Sequence, residues 1–198
     1  VCRSLLTWAS LGTTKHTGVG TNLKFYITEG IKFYDVTPIR ATTSAGDVTF
    51  SASNGSSTIT ITDTSHGANV NDFVTFSGAA TLGGTIVAGV LNQEYQIVSI
   101  LTANTYTIVA KDTSGDVVTA NASDSGNGGG STVGAYQINT GLNTFVQSTG
   151  WGVNTWGSGG FGSVSAITPG SQLRLFSQDN FGEDLLFNVR GGGVYYSD

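Results

Sequence analysis

Several residue types that stabilise or equip other proteins are missing or scarce in this sequence. It has no methionine and begins at Val1, which indicates a processed or truncated product, or part of a longer polypeptide. Its one cysteine, Cys2, excludes an internal disulfide and, alone, a cysteine-based metal cage. Two histidines without a Cys or His cluster do not favour a transition-metal site, so we expect no cofactor.

Charged residues and long apolar runs are scarce as well. Only 11% of the residues are charged, and no stretch approaches the ~18 consecutive apolar residues of a membrane span, so no membrane partner is expected. The formal net charge of −5 is unevenly spread: residues 1–45 carry five Lys or Arg against two Asp or Glu, and residues 46–135 carry one against seven. This segregation indicates a separate middle module. An acidic chain without a basic stripe is also a poor candidate for an autonomous nucleic-acid binder.

Glycine is abundant, at 29 residues, and Thr, Ser and Val are frequent. Few helix formers are left in any window, whereas Val, Ile, Thr, Tyr and Phe supply strand material. Gly and Asn suit the many turns that short strands need. The composition therefore predicts an all-β fold.

The two ends of the chain share a pattern of aromatic-rich strands and glycine turns. Residues 1–44 predict four short strands, at 4–10, 14–20, 23–28 and 31–36, joined by short turns such as Glu29-Gly30. Residues 172–198 predict strands at 173–176, 184–189 and 194–196, with turns at 179–182 and 191–193. Each end is therefore predicted to form an antiparallel meander, as a propeller blade does.

Residues 45–134 differ in character. Strands are predicted at 48–52, 58–62, 70–77, 93–100, 105–111 and 117–122, which suggests a small β-barrel or sandwich inserted as a unit. Residues 123–134 (SDSGNGGGSTVG) read as a Gly/Ser-rich connector. The predicted domains are therefore 1–44, 45–134 and 135–198.

A Gly- and Trp-rich stretch lies in the last of these domains. Six of the thirteen residues in GWGVNTWGSGGFG, at 150–162, are glycine. We expect Trp151, Trp156 and Phe161 to insert into apolar slots of a subunit or interblade interface, while glycine lets the backbone bend between them. The alternative is an exposed aromatic surface that binds saccharides.

No pattern in the sequence predicts catalytic chemistry. His66, before Gly67, is expected in a solvated turn, because a Ser-His-Asp site is assembled in space and not from neighbours in sequence. Glu183 and Asp184 are adjacent on a strand and would face opposite sides, so they could not flank one glycosidic bond. We expect Asp184 to pair with Arg190 across the hairpin.

The segments VGTNLKFYITEGIKFYDVTPIR and LRLFSQDNFGEDLLFNVRGGGVYYSD, with GWGVNTWGSGGFG between them, resemble the tail nozzle (tail-tube hub) proteins of short-tailed bacteriophages and related structural proteins of marine phages. The resemblance covers 1–44 and 136–198. It implies a β-propeller that carries inserted β-domains and assembles as a ring through which DNA leaves the virion. The implied location is the virion tail. The implied partners are copies of the chain itself, other tail proteins (adaptor or fibres) and DNA that passes without specific binding.

The length outside the middle module limits this reading. It suffices for about two or three blades at roughly 40–45 residues each, whereas a closed ring needs at least about four. Either the chain is one section of a longer protein, or its open edges pair with another chain. The fold expected is thus all-β, with partial propeller-like antiparallel blades and an inserted β-domain.

The function expected is a phage virion structural protein, a nozzle or hub component and not an enzyme. The alternative is a receptor-binding or tail-fibre protein that recognises host surface glycans. A third class, a secreted polysaccharide-active enzyme, needs paired carboxylates on one face, and the sequence offers none.

Overall fold

The structure, a computed structural model, describes residues 2–141 and 173–197. The regular elements of these residues are antiparallel β-strands and one short helix, Ala88–Leu91, so the prediction of an all-β fold is confirmed. Two compact units are present: the described residues up to Thr37 and from Thr140 onward form the first, and Pro38–Asn139 form the second.

The first unit contains two antiparallel sheets. The strands of its four-stranded sheet follow each other in chain order: β1 (Cys2–Ala9), β2 (Lys15–Thr21), β3 (Phe25–Glu29) and β4 (Lys32–Asp35). Two to five residues separate consecutive strands, and in the tightest connection, between β3 and β4, Gly30 adopts the positive φ of 60° that the turn requires.

The three-stranded sheet of this unit comes from the end of the chain. Its strands are also in chain order: β14 (Phe176–Phe181), β15 (Asp184–Val189) and β16 (Val194–Ser197). The β14–β15 turn lies at Gly182, with φ 71°, and not over 179–182 as the sequence suggested, because Asp179, Asn180 and Phe181 continue the strand pairing.

One face of each sheet packs against the other. The ring of Phe25, fully buried in β3, stacks on Phe187 of β15 with centroids 4.2 Å apart and planes 2° apart, and it also meets Phe176 of β14 at 5.0 Å. This packing requires glycine at position 20, opposite Phe176, because a Cβ on Gly20 would lie 2.6 Å from the Phe176 ring. Residues from the two ends of the chain therefore share one core.

The second unit is built from two further antiparallel sheets. A five-stranded sheet has the order β10-β11-β7-β6-β12, and a four-stranded sheet has the order β5-β13-β8-β9. The bounds are β5 (Ile39–Thr42), β6 (Thr49–Ala52), β7 (Thr58–Thr62), β8 (Phe73–Ser77), α1 (Ala88–Leu91), β9 (Glu94–Gln96), β10 (Ser99–Thr102), β11 (Thr105–Val109), β12 (Asp124–Asn127) and β13 (Val133–Gln137). Inward side chains of both sheets, such as Ile59, Ile61 and Phe76, form a single core, as in a sandwich.

Two strand predictions for this region differ from the structure. Residues 93–100 form two strands in different sheets, β9 and β10, because the chain crosses between sheets at the buried Ile97. Residues 117–122 contain one isolated bridge, Val117 to Lys111, and no strand.

The stretch interpreted as a connector, 123–134, is part of the second unit's fold. Strand β12 pairs with β6 through Asp124 and Asn127, and β13 begins at Val133. Glycine is needed here for close packing, since a Cβ on Gly129 would lie 2.1 Å from the carbonyl oxygen of Val48. The interpretation of the second unit as an inserted domain stays a prediction.

Candidate functional site

The four-stranded sheet of the first unit has a face on the side away from Phe25, here called the first outer face and defined by Leu5, Val19, Tyr26 and Phe33. The strand register places Leu5, Val19 and Tyr26 in one row, because directly paired residues share a face of an antiparallel sheet. Phe33 continues the next row, opposite Thr28. Leu5 is 66% exposed and Phe33 is 69% exposed. Apolar side chains therefore lie on the side away from the shared core, in rows that also contain Thr7, Thr17, Thr28 and Asp35.

Strand β4 forms an edge of this sheet within the described residues. All four of its residues are exposed, and it pairs with β3 on one side only. Edge strands of soluble proteins are usually protected by charge, proline or a covering segment, because their free N–H and C=O groups can pair with another chain. Lys32 and Asp35 provide charge at the two ends of β4, but its centre is Phe33-Tyr34.

A buried ammonium group fixes the start of the β3–β4 hairpin. The Lys24 side chain, 7% exposed, donates to the Asp35 carboxylate at 2.6 Å. Thr37 donates to the same carboxylate through its N–H, at 2.9 Å, and its hydroxyl, at 2.5 Å. Burial alone would raise the pKa of Asp35, but the hydrogen bonds from Lys24 and Thr37 and the charge of Lys24 outweigh it and lower the pKa.

The three-stranded sheet has the second outer face, defined by Asp179, Asp184, Leu186, Val194 and Tyr196. The register pairs Leu186 with both Asp179 and Tyr196, so the three side chains form a row on the side opposite Phe187. Val194 is 69% exposed and Tyr196 is 56% exposed. The Tyr196 hydroxyl donates to the Asp184 carboxylate. A shallow groove runs over this face beside Ser177 and Asn188.

The second unit contains a buried polar network that the sequence did not reveal. The Tyr136 hydroxyl donates to Asp63 at 2.5 Å and lies 2.8 Å from the Tyr106 hydroxyl. Because Tyr136 has one hydroxyl proton, Tyr106 donates to Tyr136 in this arrangement. Burial raises the pKa of both tyrosines well above the ordinary value, and the nearby Asp63 carboxylate raises them further. The hydroxyls of this network are therefore held in the protonated, donating form.

The prediction that His66 lies in a solvated turn is wrong. The imidazole is 7% exposed, accepts a hydrogen bond from the Ala68 N–H at 3.0 Å and packs edge-on against Tyr106 at 4.9 Å. The positive φ of Ser65 and Gly67 turns the chain on either side of it. Arg40 donates to the His66 carbonyl at 2.9 Å and lies 5.2 Å from the centre of the Tyr136 ring.

This network can stabilise the sandwich, but its geometry gives a substrate no route to it. Asp63, Tyr106 and Tyr136 are each 4% exposed or less, and the hydroxyls already satisfy each other and the carboxylate. Within residues 2–141 and 173–197, no group of three or more His, Cys, Asp or Glu is placed to bind a metal ion. The same residues include no helix with the length and apolar character needed to cross a membrane.

The carboxylates singled out in the sequence have structural partners. Glu183 accepts from the Leu11 N–H at 2.7 Å through its carboxylate and from the Trp8 indole at 2.8 Å through its carbonyl, which joins the two ends of the chain. The expected pairing of Asp184 with Arg190 is wrong: Asp184 accepts from Tyr196, its neighbour across the sheet face. Trp151, Trp156 and Phe161, the predicted interface residues, lie outside the described residues.

Sequence reasoning identified the strands but not the outer faces. The alternation in 23–28 shows that Phe25 and Tyr26 point in opposite directions, and both are aromatic. A strand that presents aromatic residues on both sides is a signal that both faces meet other protein. That signal could have identified Tyr26 and, through the hairpin register, Phe33.

Comparisons with known proteins give limited information. No family model and no curated protein matches the chain. Among solved structures, the chain is similar to the phage phi92 endosialidase, with a TM-score of 0.35 and 19% identity. The match covers 70% of this chain and 18% of that protein.

This comparison corrects one prediction. The sequence was interpreted as that of a protein that is not an enzyme, and the similar structure is that of an enzyme, which contradicts that interpretation. At this identity and TM-score we transfer no activity, substrate or residue role to this chain. The similar structure belongs to a phage protein, and it does not distinguish a nozzle from a receptor-binding protein.

Proposed function

We propose that the chain is a structural component of a phage tail, of the nozzle or hub type, in which the sheets of the first unit pack against further sheets of the assembly. The observation that supports the proposal best is the first outer face with its open edge, β4. Leu5 and Phe33 are each about two-thirds exposed, and the other side of the same sheet packs through Phe25 against Phe187. A sheet with one packed face and exposed apolar residues on the other is suited to stacking, since sheets bury apolar rows by packing about 10 Å apart.

The blade-like form of the first unit supports the same function. Its two sheets stack face to face, each with strands in simple chain order, which is the arrangement of neighbouring blades in a propeller. The described residues supply two such sheets, so a wheel would be completed by further sheets from a longer polypeptide or from other copies. The partners we propose are copies of the chain and other tail proteins.

The negative net charge of the chain suits a channel wall past which DNA moves without binding. Its net charge is −5, and attraction to a polyanion grows with the number of cationic contacts. We therefore expect no retention of duplex DNA by the purified chain in a gel-shift assay at about 0.15 M salt. Tight binding at that salt concentration would contradict this part of the proposal.

Location in the particle tests the proposal directly. Gold-labelled antibodies raised against the 198-residue chain are applied to purified phage particles and viewed by electron microscopy. We expect label at the tail. Label confined to the capsid, or its absence from particles whose denatured proteins react with the antibody, would refute the proposed function.

A second candidate function is recognition of host surface glycans, and the groove of the second outer face favours it. That groove combines carboxylate and amide groups, at Asp179 and Asn188, with the apolar side chains of Leu186 and Val194. Small-molecule sites typically combine an apolar lining with a few polar groups that fix the orientation of the ligand. Binding on a glycan array that is lost in Asn188→Ala, with the tail label retained, would favour a receptor-binding tail protein over a nozzle.

A further inference from the structure

Two Asn-Gly dipeptides lie in the second unit, at Asn54-Gly55 and Asn127-Gly128. We propose that Asn127 is a site of spontaneous covalent modification in the folded chain, that the fold protects Asn54 from the same reaction, and that modification of Asn127 weakens strand β12. The reaction needs water alone and occurs whatever the chain assembles with, so it goes beyond the proposed tail function.

The chemistry is that of an asparagine followed by an unhindered residue. The backbone nitrogen of the following residue loses its proton and forms a bond to the side-chain carbonyl carbon, Cγ. The Cγ–Nδ2 bond then breaks, and the Nδ2 group takes up a proton and leaves as ammonia, so that a five-membered cyclic imide remains. Water hydrolyses one of the two C–N bonds of the imide, which gives either aspartate or isoaspartate. Glycine has no Cβ and so hinders the attack least.

At Asn54, the nitrogen that would attack is held by the fold. The Gly55 N–H donates to the Ala120 carbonyl at 2.8 Å, and the Ala120 N–H donates back to the Ser56 carbonyl at 2.9 Å. The Ser56 N–H also closes the turn on the Ser53 carbonyl at 3.0 Å. Attack on Cγ requires the Gly55 nitrogen to give up its hydrogen bond and its proton together, and a backbone hydrogen bond that is broken without replacement costs free energy.

At Asn127, the corresponding nitrogen is not held in this way. Within residues 2–141 and 173–197, the Gly128 N–H donates no hydrogen bond. Asn127 is the last residue of β12, which lies at one end of the five-stranded sheet and shifts register between Asp124 and Asn127. Strand ends at a sheet edge open at a lower free-energy cost than core strands. The Gly128 nitrogen can therefore reach Cγ of Asn127 after a small local movement.

Modification at this position replaces an attractive contact with a repulsive one. The Asn127 amide donates to the Asp124 carboxylate. Both products carry a carboxylate in place of that amide, so two like charges then lie side by side. Isoaspartate also adds a methylene group to the backbone, which disturbs the pairing of position 127 with Phe50 of β6. We therefore expect β12 to pair less stably after the reaction.

The first experiment measures both reaction rates in one sample. The full 198-residue chain is incubated in mildly alkaline buffer, and peptide mass spectrometry at intervals follows the loss of ammonia and uptake of water at each asparagine. We expect Asn127 to convert about three to ten times faster than Asn54, the factor that corresponds to the net strength of one hydrogen bond. In urea that unfolds the chain, the two rates should become similar, because glycine follows both residues.

The second experiment tests the consequence with a matched pair of variants. Asn127→Asp reproduces one product, and we expect hydrogen exchange in β12, at 124–127, to become at least about threefold faster. Asn54→Asp is the control, since the Asn54 side chain makes no hydrogen bond in the part of the chain that the structure describes. It should leave the exchange of β12 unchanged. Unchanged exchange of β15, at 184–189, shows that each variant is folded.

Three results would overturn the proposal. The first is a folded chain in which Asn54 converts as fast as Asn127, or in which Asn127 does not convert. The second is the same ratio of rates in urea as in the folded chain, because the selectivity would then belong to the sequence and not to the fold. The third is an Asn127→Asp variant whose β12 exchanges as slowly as that of the wild-type chain.

Discussion

Phe25 lies between the two sheets of the first unit, and its truncation gives a sharp prediction. The side chain is fully buried, stacks on Phe187 at 4.2 Å and meets Phe176 at 5.0 Å. Phe25→Ala removes a ring between two sheets that come from opposite ends of the chain. We expect a loss of about 3–5 kcal/mol in the free energy of unfolding of the first unit, of which the stacked pair accounts for about 0.5–1.5 kcal/mol.

Hydrogen exchange followed by mass spectrometry reads this loss separately in the two units. A destabilisation of about 3 kcal/mol raises exchange through unfolding about a hundredfold. In Phe25→Ala we expect faster exchange in β15, at 184–189, and unchanged exchange in β7, at 58–62. The matched control is Phe50→Ala, which truncates a fully buried ring packed edge-on against Phe76 in the second unit.

The control should show the reverse pattern, with faster exchange in β7 and unchanged exchange in β15. If Phe25→Ala leaves the exchange of 184–189 as it is in the wild-type chain, the two terminal segments do not share a core. The outer faces would then lose their structural basis.

Three further predictions concern single groups. Tyr136→Phe removes both the donor to Asp63 and the acceptor of the Tyr106 proton. In thermal or urea unfolding it should lower the free energy of unfolding by about 2–4 kcal/mol, against about 1 kcal/mol for Tyr106→Phe. Equal losses in the two variants would contradict the direction of the network. Gly20→Ala, which would place a methyl 2.6 Å from a ring carbon, should destabilise the first unit by more than 1 kcal/mol or so, and an unchanged urea midpoint would argue against the packing. The pKa of Asp35 is lowered in the folded state, so its carboxylate stabilises the fold above the ordinary pKa of about 4, and this contribution is lost as the pH falls through the lowered value. Asp35→Asn should therefore be less stable than wild type at pH 7 and converge with it in acid, and a gap that persists at pH 2 would refute this.

The sequence predicted the fold where local signals decide the structure. The alternation in 23–28 and the turn at Glu29-Gly30 are sufficient to define a hairpin, and the structure has β3 and β4 there. Short turns then determine that the strands of each terminal sheet pair in chain order. Even the Lys24–Asp35 pair could have been read from the register of that hairpin.

What the sequence did not reveal depends on residues that are far apart in the chain. His66 is buried because Arg40 and Tyr106 lie over it, and nothing in its own neighbourhood indicates this. Strand β12, with the sequence DSGN, has little β-propensity and is held by pairing with β6, more than seventy residues earlier. Local composition instead indicates a linker there.

The candidate site was missed for a related reason. A row such as exposed Leu5 with half-buried Val19 and Tyr26 exists only when three strands are in register, and sequence patterns report one strand at a time. The interface role of Trp151, Trp156 and Phe161 stays a prediction.

The most direct test of the assembly role is a cryo-electron microscopy reconstruction of the phage particle at a resolution that separates β-strands. We predict that the chain lies in the tail and that Leu5 and Phe33 are covered by a sheet of a neighbouring chain or of a further segment of the same polypeptide. A reconstruction that places the chain outside the tail, or that shows the first outer face in contact with solvent alone, would contradict the proposed function.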